Sequence, residues 1–193
     1  MRGNKNWPSC DQLNDLLHLD PATGRLFWKP REPRHFKESS KVSSLDACRR
    51  WNAGFSGKEA LTSINVHGYR AGRVLYHSLC AHTVIWAMTH GRWPEKEIDH
   101  INGDPLDNRP ENLREATRSE NEMNKLPGKR NSSGIKGVSW EKRRSKWRAQ
   151  ITANGEYKYL GSFGTRDEAE SAYIAASIEM HGEFSIHRKQ GGE

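Results

Sequence analysis

The sequence predicts an α+β fold built from two small modules rather than one large domain. Three observations predict this class. A strand–loop–strand–helix order begins near residue 97, and farther along three short alternating strands precede a segment with helical spacing. Only 34% of the 193 residues are apolar, and the mean hydropathy is -0.95. So polar a chain favours small cores, for which its seven Trp residues supply compact anchors.

Composition narrows the possible partners. Lys and Arg number 31 against 24 Asp and Glu, and the net charge of +7 favours a polyanionic partner, although the same charge also supports solubility. No apolar run reaches the length of a membrane helix, and the N-terminus lacks the apolar segment of a signal peptide. The three cysteines have neither zinc nor disulfide spacing. These features predict a protein of a reducing compartment that does not bind membranes.

Residues 1–79 predict supporting elements. SCDQLNDLL has a capping box from Ser9 to Gln12, DPATGRLFW is a turn into a strand, SLDACRRW is a short helix and INVHGYRAGRVLY is a hairpin. AHTVIWAMTHG then predicts a helix over 80–90, in which His82 has a packing role, with DNA contact as the second interpretation. Four arginines could equally support the fold or contact a phosphate backbone: Arg49, Arg50, Arg70 and Arg73.

The stretch IDHINGDPLDNRPENLREATRSENEMN places orderly spaced asparagines after an Asp-His pair. Asp99 and His100 end a first strand, a turn-rich loop follows, and Asn112 lies at a second strand. The capping box TRSE then starts a helix that carries Asn121. A hairpin followed by a helix can bring three residues that are distant in sequence together at one small cavity.

These residue types suit phosphodiester hydrolysis, which needs a base for water and a cation for the phosphate charge. A histidine titrates near neutrality, and a carboxylate gives a hard cation such as Mg²⁺ one charged oxygen. An asparagine carbonyl adds a neutral ligand and leaves room for a DNA phosphate, while another asparagine can hold the histidine ring or its loop. For Asn108 we expect a turn cap, and for Asn124 a surface or phosphate-contacting position.

The pattern IDHINGD…DNRPENLR…TRSEN resembles the HNH, or ββα-metal, nuclease family, especially the phage homing endonucleases, over about residues 80–125. The resemblance implies that Asp99 is a metal ligand, that His100 is the general base and that Asn112 orients the base. Asn121 is then the second ligand, at a position where the family has His or Asn. The intervals DH-x11-N-x8-N suit this geometry. The resemblance also implies one divalent metal ion, Mg²⁺ or Mn²⁺, and no small-molecule cofactor.

The C-terminal part is rich in basic residues, and apolar and polar residues alternate along it. Nine cations and a single acid lie between residues 125 and 150, and the segment LPGKRNSSG has the composition of a linker. Three antiparallel strands follow in GIKGVSWEK, KWRAQITA and EYKYLGSF, and the capping box TRDE starts a helix that ends at Gly182. If Trp147, Ala149 and Ile151 face this helix, the other face of the sheet carries cations, an amide and tyrosine rings. Such a face suits phosphate contact and the reading of base edges, or is merely solvated.

GVSWEKRRSKWRAQI…KYLGSFGTRDEAESAYIAAS resembles the plant ethylene-response-factor (APETALA-type) DNA-binding domain over roughly residues 134–185. The resemblance implies a three-stranded sheet that lies in the major groove of double-stranded DNA. Ser139 and Glu141 stand where the family usually has arginines, so its sequence preference does not transfer. The predicted DNA contacts of the chain are Lys125, Lys129, Arg130, Lys136, Arg143, Arg144, Lys146, Arg148, Gln150, Thr152, Tyr157 and Tyr159.

The predicted organisation has five parts: a lead region over 1–79, the HNH module over 80–125, a basic linker over 126–134, the APETALA-type domain over 135–185 and a tail over 186–193. We predict a metal-dependent DNA endonuclease of the phage homing type, monomeric and active in the cytoplasm of a host cell. The alternative is a DNA-binding regulator with a degenerate nuclease module, against which the intact set of predicted catalytic residues argues. An RNA-binding module fits the charge but leaves the Asp-His pair unexplained.

Overall fold

The computed structural model describes residues 7–128 and 131–187, and the chain divides into two compact units. The first unit comprises residues up to 100 together with 104–113, and the second comprises 101–103 and the residues from 114 onward. The predicted class is confirmed, because helices and several small antiparallel sheets are mixed along the chain. Within the described ranges, every helix is too short or too polar to cross a membrane.

The first unit has helices between short strands. In chain order its helices and strands are α1 (Cys10–Leu16), β1 (Leu17–Asp20), β2 (Arg25–Trp28), α2 (Ser44–Phe55), β3 (Glu59–Ala60), β4 (Ser63–Ile64), β5 (Arg70–Val74), β6 (His77–Cys80), α3 (Ala81–His90) and β7 (Glu97–His100). Strands β1, β2 and β3 form one antiparallel sheet, and β4, β5 and β6 form another. The capping box predicted at Ser9 and Gln12 starts α1, as expected.

Helix α3 lies at the centre of the first unit. Val84 and Ile85 are fully buried and pack in one cluster with Leu13 of α1 and Leu26 of β2. Ile98 of β7 belongs to the same cluster. Because Ile98 is anchored in this core, the two residues that follow it in β7 are held in a defined position at the core's edge.

The second unit contains the rest of the ordered elements. They are β8 (Leu113–Ala116), which enters this unit at Arg114, α4 (Arg118–Asn124), β9 (Val138–Glu141), β10 (Lys146–Ala153), β11 (Glu156–Phe163) and α5 (Arg166–His181). The three strands and the helix predicted for the C-terminal part are confirmed. The helix that carries Asn121 ends at Asn124.

Helix α5 packs on one face of the antiparallel sheet β11-β10-β9. Its small side chains Ala169 and Ala176 are buried with Ala149 and Ile151 of the central strand. This close approach also requires Gly137, which has φ +71; a Cβ there would lie 2.4 Å from Cε2 of Tyr173 on α5. The face opposite the helix is therefore the one free to meet a partner.

Candidate functional site

Strand β7 places Asp99 and His100 at the edge of the first core. Both side chains are buried, with exposed fractions of 4% and 5%. A buried carboxylate is costly unless hydrogen bonds or a cation compensate for its lost hydration. The predicted pair therefore occupies an enclosed position rather than a solvated strand end.

The imidazole ring of His100 is held by Asn108. The Nε2 atom of His100 lies 2.9 Å from Oδ1 of Asn108, and Asn108 is 1% exposed. An amide oxygen only accepts hydrogen bonds, so in this contact Nε2 of His100 is the donor and Oδ1 of Asn108 is the acceptor. The expected turn-cap role of Asn108 is therefore wrong, because its side chain contacts the histidine.

The loop that carries Asn108 is braced on two sides. The Nδ2 atom of Asn112 donates to the Asp107 carbonyl oxygen at 2.7 Å, one residue before Asn108. Arg109 donates from Nε and Nη2 to the Asp107 carboxylate at 2.8 and 2.7 Å. Gly24 (φ +63) packs so closely that a Cβ there would lie 2.3 Å from the Asn108 carbonyl carbon. Asn112 thus holds the loop at Asp107, one residue before Asn108, which contacts His100.

Two further rings surround His100. Tyr69 stacks on it at a centroid distance of 5.8 Å and an angle of 16°, and His82 meets it edge-on at 5.2 Å. The sequence indicates a packing role for His82, with DNA contact as the second interpretation, and no role for Tyr69, since neither residue carries a local signal of proximity to His100. Burial, and next the charge of His100, lower the pKa of His82 to about 3, so His82 is neutral near neutral pH.

The lowered pKa of His82 predicts that the folding stability of the first unit decreases in acid. Above pH 6.5 His82 is neutral in both states; as the pH falls towards 3 the unfolded chain takes up the proton first, so folding stability is lost. At pH 5 the loss is about 2 kcal/mol relative to pH 7. Urea unfolding at the two pH values should show a smaller decrease in His82→Phe than in the original chain. An equal decrease in both proteins would contradict the prediction.

Helix α4 carries Asn121 and belongs to the second unit. The capping box at Thr117 and Glu120 starts it, as the sequence predicts. Asn124, at its end, is 3% exposed, which corrects the expected surface position. The role of Asn121 as a second metal ligand stays a prediction that the family resemblance implies, and an amide oxygen is chemically suited to it.

The side chain of Lys136 binds the C-terminal end of helix α4. Its ammonium group donates to the carbonyl oxygens of Glu122, Met123 and Lys125 at the end of α4, the last two at 3.1 Å. A lysine has three N–H donors, and all three are used here. Lys136 therefore caps α4, which corrects its predicted role as a phosphate contact.

A divalent cation would find a partial set of ligands. Among the described residues, no three His, Cys, Asp or Glu side chains cluster as a complete protein cage would require. The buried Asp99 carboxylate offers a hard oxygen donor of the kind that Mg²⁺ and Mn²⁺ prefer. Mg²⁺ sites commonly combine one or two carboxylates with substrate phosphates. The donor set fits an ion that is shared with DNA.

The open face of the C-terminal sheet carries a connected polar network. Arg148 donates from Nη2 to the Tyr157 hydroxyl at 2.5 Å, and that hydroxyl donates to Oε1 of Gln150 at 3.2 Å. The guanidinium of Arg148 also lies 5.6 Å from the Tyr159 ring centroid. Thr152 pairs with Tyr157 across the strands and is exposed. The alternation predicted from the sequence thus places these side chains on the face opposite α5.

The first strand and its turn complete this face. Ser139 pairs with Arg148, and Glu141 pairs with the exposed Lys146. Glu141 forms an ion pair with Arg144 of the turn at 3.5 Å, which partly offsets a carboxylate on a cationic surface. Of the remaining predicted contacts, Arg143 is exposed in this turn and Lys125 is ion-paired with Glu122. Lys129 and Arg130 lie outside the described residues.

Comparisons with known proteins match both parts of the chain. The HNH endonuclease family model matches residues 80–123, and the AP2 domain model matches residues 133–183. Protein 3.8 of Escherichia phage T7 is 38% identical over 110 residues, which cover 55% of this chain and 88% of the relative. An uncharacterized HNH endonuclease, L560, of Acanthamoeba polyphaga mimivirus is 26% identical over 141 residues, covering 72% of this chain and 67% of the relative. No solved structure matches significantly.

Proposed function

Because the chain belongs to the HNH endonuclease family and carries an AP2 domain, we propose that it is a metal-dependent DNA endonuclease of the homing type. In this proposal the HNH module hydrolyses phosphodiester bonds of double-stranded DNA, and the AP2 sheet directs it to its site. The observation that carries the proposal is the His100 ring, oriented through Nε2 by Asn108 and adjacent in sequence to the buried Asp99.

The proposed chemistry assigns His100 the role of general base. With its Nε2 proton donated to Asn108, the ring presents the lone pair of Nδ1, which accepts the proton of the attacking water. Asn108 also stabilises the imidazolium that forms, because its amide oxygen keeps accepting from Nε2. Asn112 and Arg109 keep the loop of Asn108 in place through the carbonyl and the carboxylate of Asp107.

Asp99 and Asn121 are the proposed ligands of one divalent ion. When bound, the ion neutralises the charge that develops on the phosphate and on the leaving oxygen. A charged and a neutral oxygen leave room for phosphate oxygens of the substrate. Mg²⁺ and Mn²⁺ both suit such oxygen ligands.

The experiment that tests this function is incubation of the full chain with supercoiled plasmid and with candidate flanking DNA. Separate reactions contain Mg²⁺, Mn²⁺ or EDTA. Nicked or linear product in the metal reactions and intact plasmid in EDTA is the expected result. Binding of the plasmid without cleavage in either metal would favour the alternative of a DNA-binding regulator with a degenerate nuclease module.

We further propose that Arg148 and Gln150 read bases and that Tyr157 positions both. Arginine and glutamine can each make two hydrogen bonds to a base edge in the major groove. Arg148→Ala or Gln150→Ala should reduce discrimination between cognate and scrambled duplexes by about 1–3 kcal/mol. Tyr157→Phe removes the hydroxyl that joins the two side chains, so it should reduce discrimination as well.

A matched control separates base reading from phosphate contact. Lys158 is an exposed cation of the same sheet, but it pairs with the buried Ile151 and points away from the network. Lys158→Ala should leave discrimination unchanged. Equal weakening of every sequence by Arg148→Ala would mean that Arg148 touches only phosphate.

A further inference from the structure

We propose that the turn between β5 and β6 is an additional DNA contact, located on the first unit. In this proposal the turn enters a groove of the duplex within one helical turn of the scissile phosphate. Arg73 binds a backbone phosphate there, and the Tyr76 ring lies against sugars and base edges. The inference rests on the proposed function, because it takes the DNA to be bound with a phosphate at His100.

The charge of residues 60–94, which include the turn, favours binding of a polyanion. Residues 60–94 contain no Asp or Glu, although the chain has 24 of these residues. Strands β4, β5 and β6 lie within this range. Arg70 forms an ion pair with Glu59, outside the range, at 2.5 Å. Arg73, by contrast, is exposed on β5 and available to a phosphate.

The turn itself has a strained conformation. Val74 pairs with His77, so Leu75 and Tyr76 form a two-residue loop, and both have positive φ, 45° and 71°. Such loops prefer Asn-Gly or Asp-Gly, because a Cβ disfavours this backbone region. Leu75 packs partly against the first core, but Tyr76 is 86% exposed and receives little burial in return. Backbone strain at Tyr76 is not offset by burial of its side chain, and such strain indicates that the residue has a function.

Arg73 is tied to the same turn. Its Nη2 atom donates to the Tyr76 carbonyl oxygen at 3.4 Å. Across the strands it pairs with Ser78, which is exposed as well. The cation and the aromatic ring are therefore presented together at one end of the sheet. A cation beside an exposed aromatic ring matches the chemistry of a DNA strand, which offers phosphates and flat bases.

Strand β5 leads from His100 to this turn. Tyr69, which stacks on His100, directly precedes β5. At the rise of an extended strand, the turn lies about 20 Å from Tyr69. One helical turn of DNA measures about 34 Å. A duplex with its scissile phosphate at His100 is therefore long enough, within one turn, to reach Arg73 and Tyr76.

The first test relieves the strain at the exposed position of the turn and keeps Leu75, which packs against the first core. In the full chain, Tyr76→Gly should raise the Tm, because glycine adopts a positive φ without a Cβ penalty. The same variant should bind a mixed-sequence duplex in EDTA about tenfold more weakly, since the contact of the Tyr76 ring with sugars and base edges is lost. Fluorescence anisotropy measures the affinity. Val66→Ala, at the opposite turn of the same sheet and 96% exposed, is the control and should change neither quantity.

Salt dependence separates the two side chains. Arg73→Ala should reduce the slope of log affinity against log salt by about 0.9, the value for one phosphate contact. Tyr76→Ala should weaken binding without changing the slope. Unchanged affinity in both variants would overturn the proposal, and so would a lower Tm in Tyr76→Gly. If the plasmid remains intact in every metal but Tyr76→Ala weakens DNA binding, the nuclease function fails and the DNA contact stands.

Discussion

His100→Ala should slow DNA cleavage by about 100- to 10,000-fold, the usual cost of removing a general base. Affinity for DNA should stay within a few-fold of the original, because the proposed base acts on water rather than on binding. Single-turnover cleavage of supercoiled plasmid in Mg²⁺ measures the first quantity, and anisotropy in EDTA measures the second. A variant that still cleaves at the original rate would refute the assignment of His100.

Asn108→Leu should have an intermediate effect and so test the orientation of the ring. The substitution keeps the approximate size of the side chain but removes the oxygen that lies 2.9 Å from His100. Loss of an outer hydrogen-bond partner typically costs about 10- to 100-fold at catalytic centres. Asn52→Leu is a matched control, since Asn52 is another hydrogen-bonded asparagine of the first unit: its Nδ2 atom donates to the Arg31 carbonyl oxygen and not to a histidine. The control should lower the Tm without changing the cleavage rate of folded protein.

Asp99→Ala should raise the Mg²⁺ or Mn²⁺ concentration needed for half-maximal cleavage by at least about tenfold, the lower limit seen even for indirect partners of metal ligands. Asn121→Ala should raise it less, because a charged oxygen binds a hard cation better than a neutral carbonyl does. Cleavage rates titrated against each metal measure both changes.

A second carboxylate in the neighbouring loop provides the control for the metal prediction. Asp104 accepts a hydrogen bond from the Leu106 backbone at 2.9 Å, a local turn contact. Asp104→Ala should leave the metal dependence unchanged. If the original chain cleaves equally well in EDTA, the assignment of Asp99 and Asn121 as ligands is refuted.

Local sequence determined most of the secondary structure. The capping boxes at Ser9, Thr117 and Thr165 each start a helix at the expected position. The alternation around Gln150 also predicted which side chains share the open face of the C-terminal sheet. Capping and alternation involve residues a few positions apart, so a single segment of sequence contains the whole signal.

The partners of individual polar side chains were decided only by the tertiary structure. The sequence presents similar asparagines, and nothing local distinguishes Asn108, which contacts His100, from Asn124, which is buried at the end of α4. Lys136 stands among basic residues in sequence, yet it caps α4 because three carbonyl oxygens converge on its ammonium group.

The same distinction applies to the chain as a whole. The sequence by itself determined the order of the elements, the Asp-His pair with its spaced asparagines, and the cationic face of a small sheet. The tertiary structure decided that Asn108 holds the His100 ring, that Tyr69 and His82 enclose it, and that Leu75 and Tyr76 form a strained turn. The physical reason is that a hydrogen bond or a ring contact needs two groups within a few ångströms. Segments distant in sequence reach that separation only when the whole unit packs.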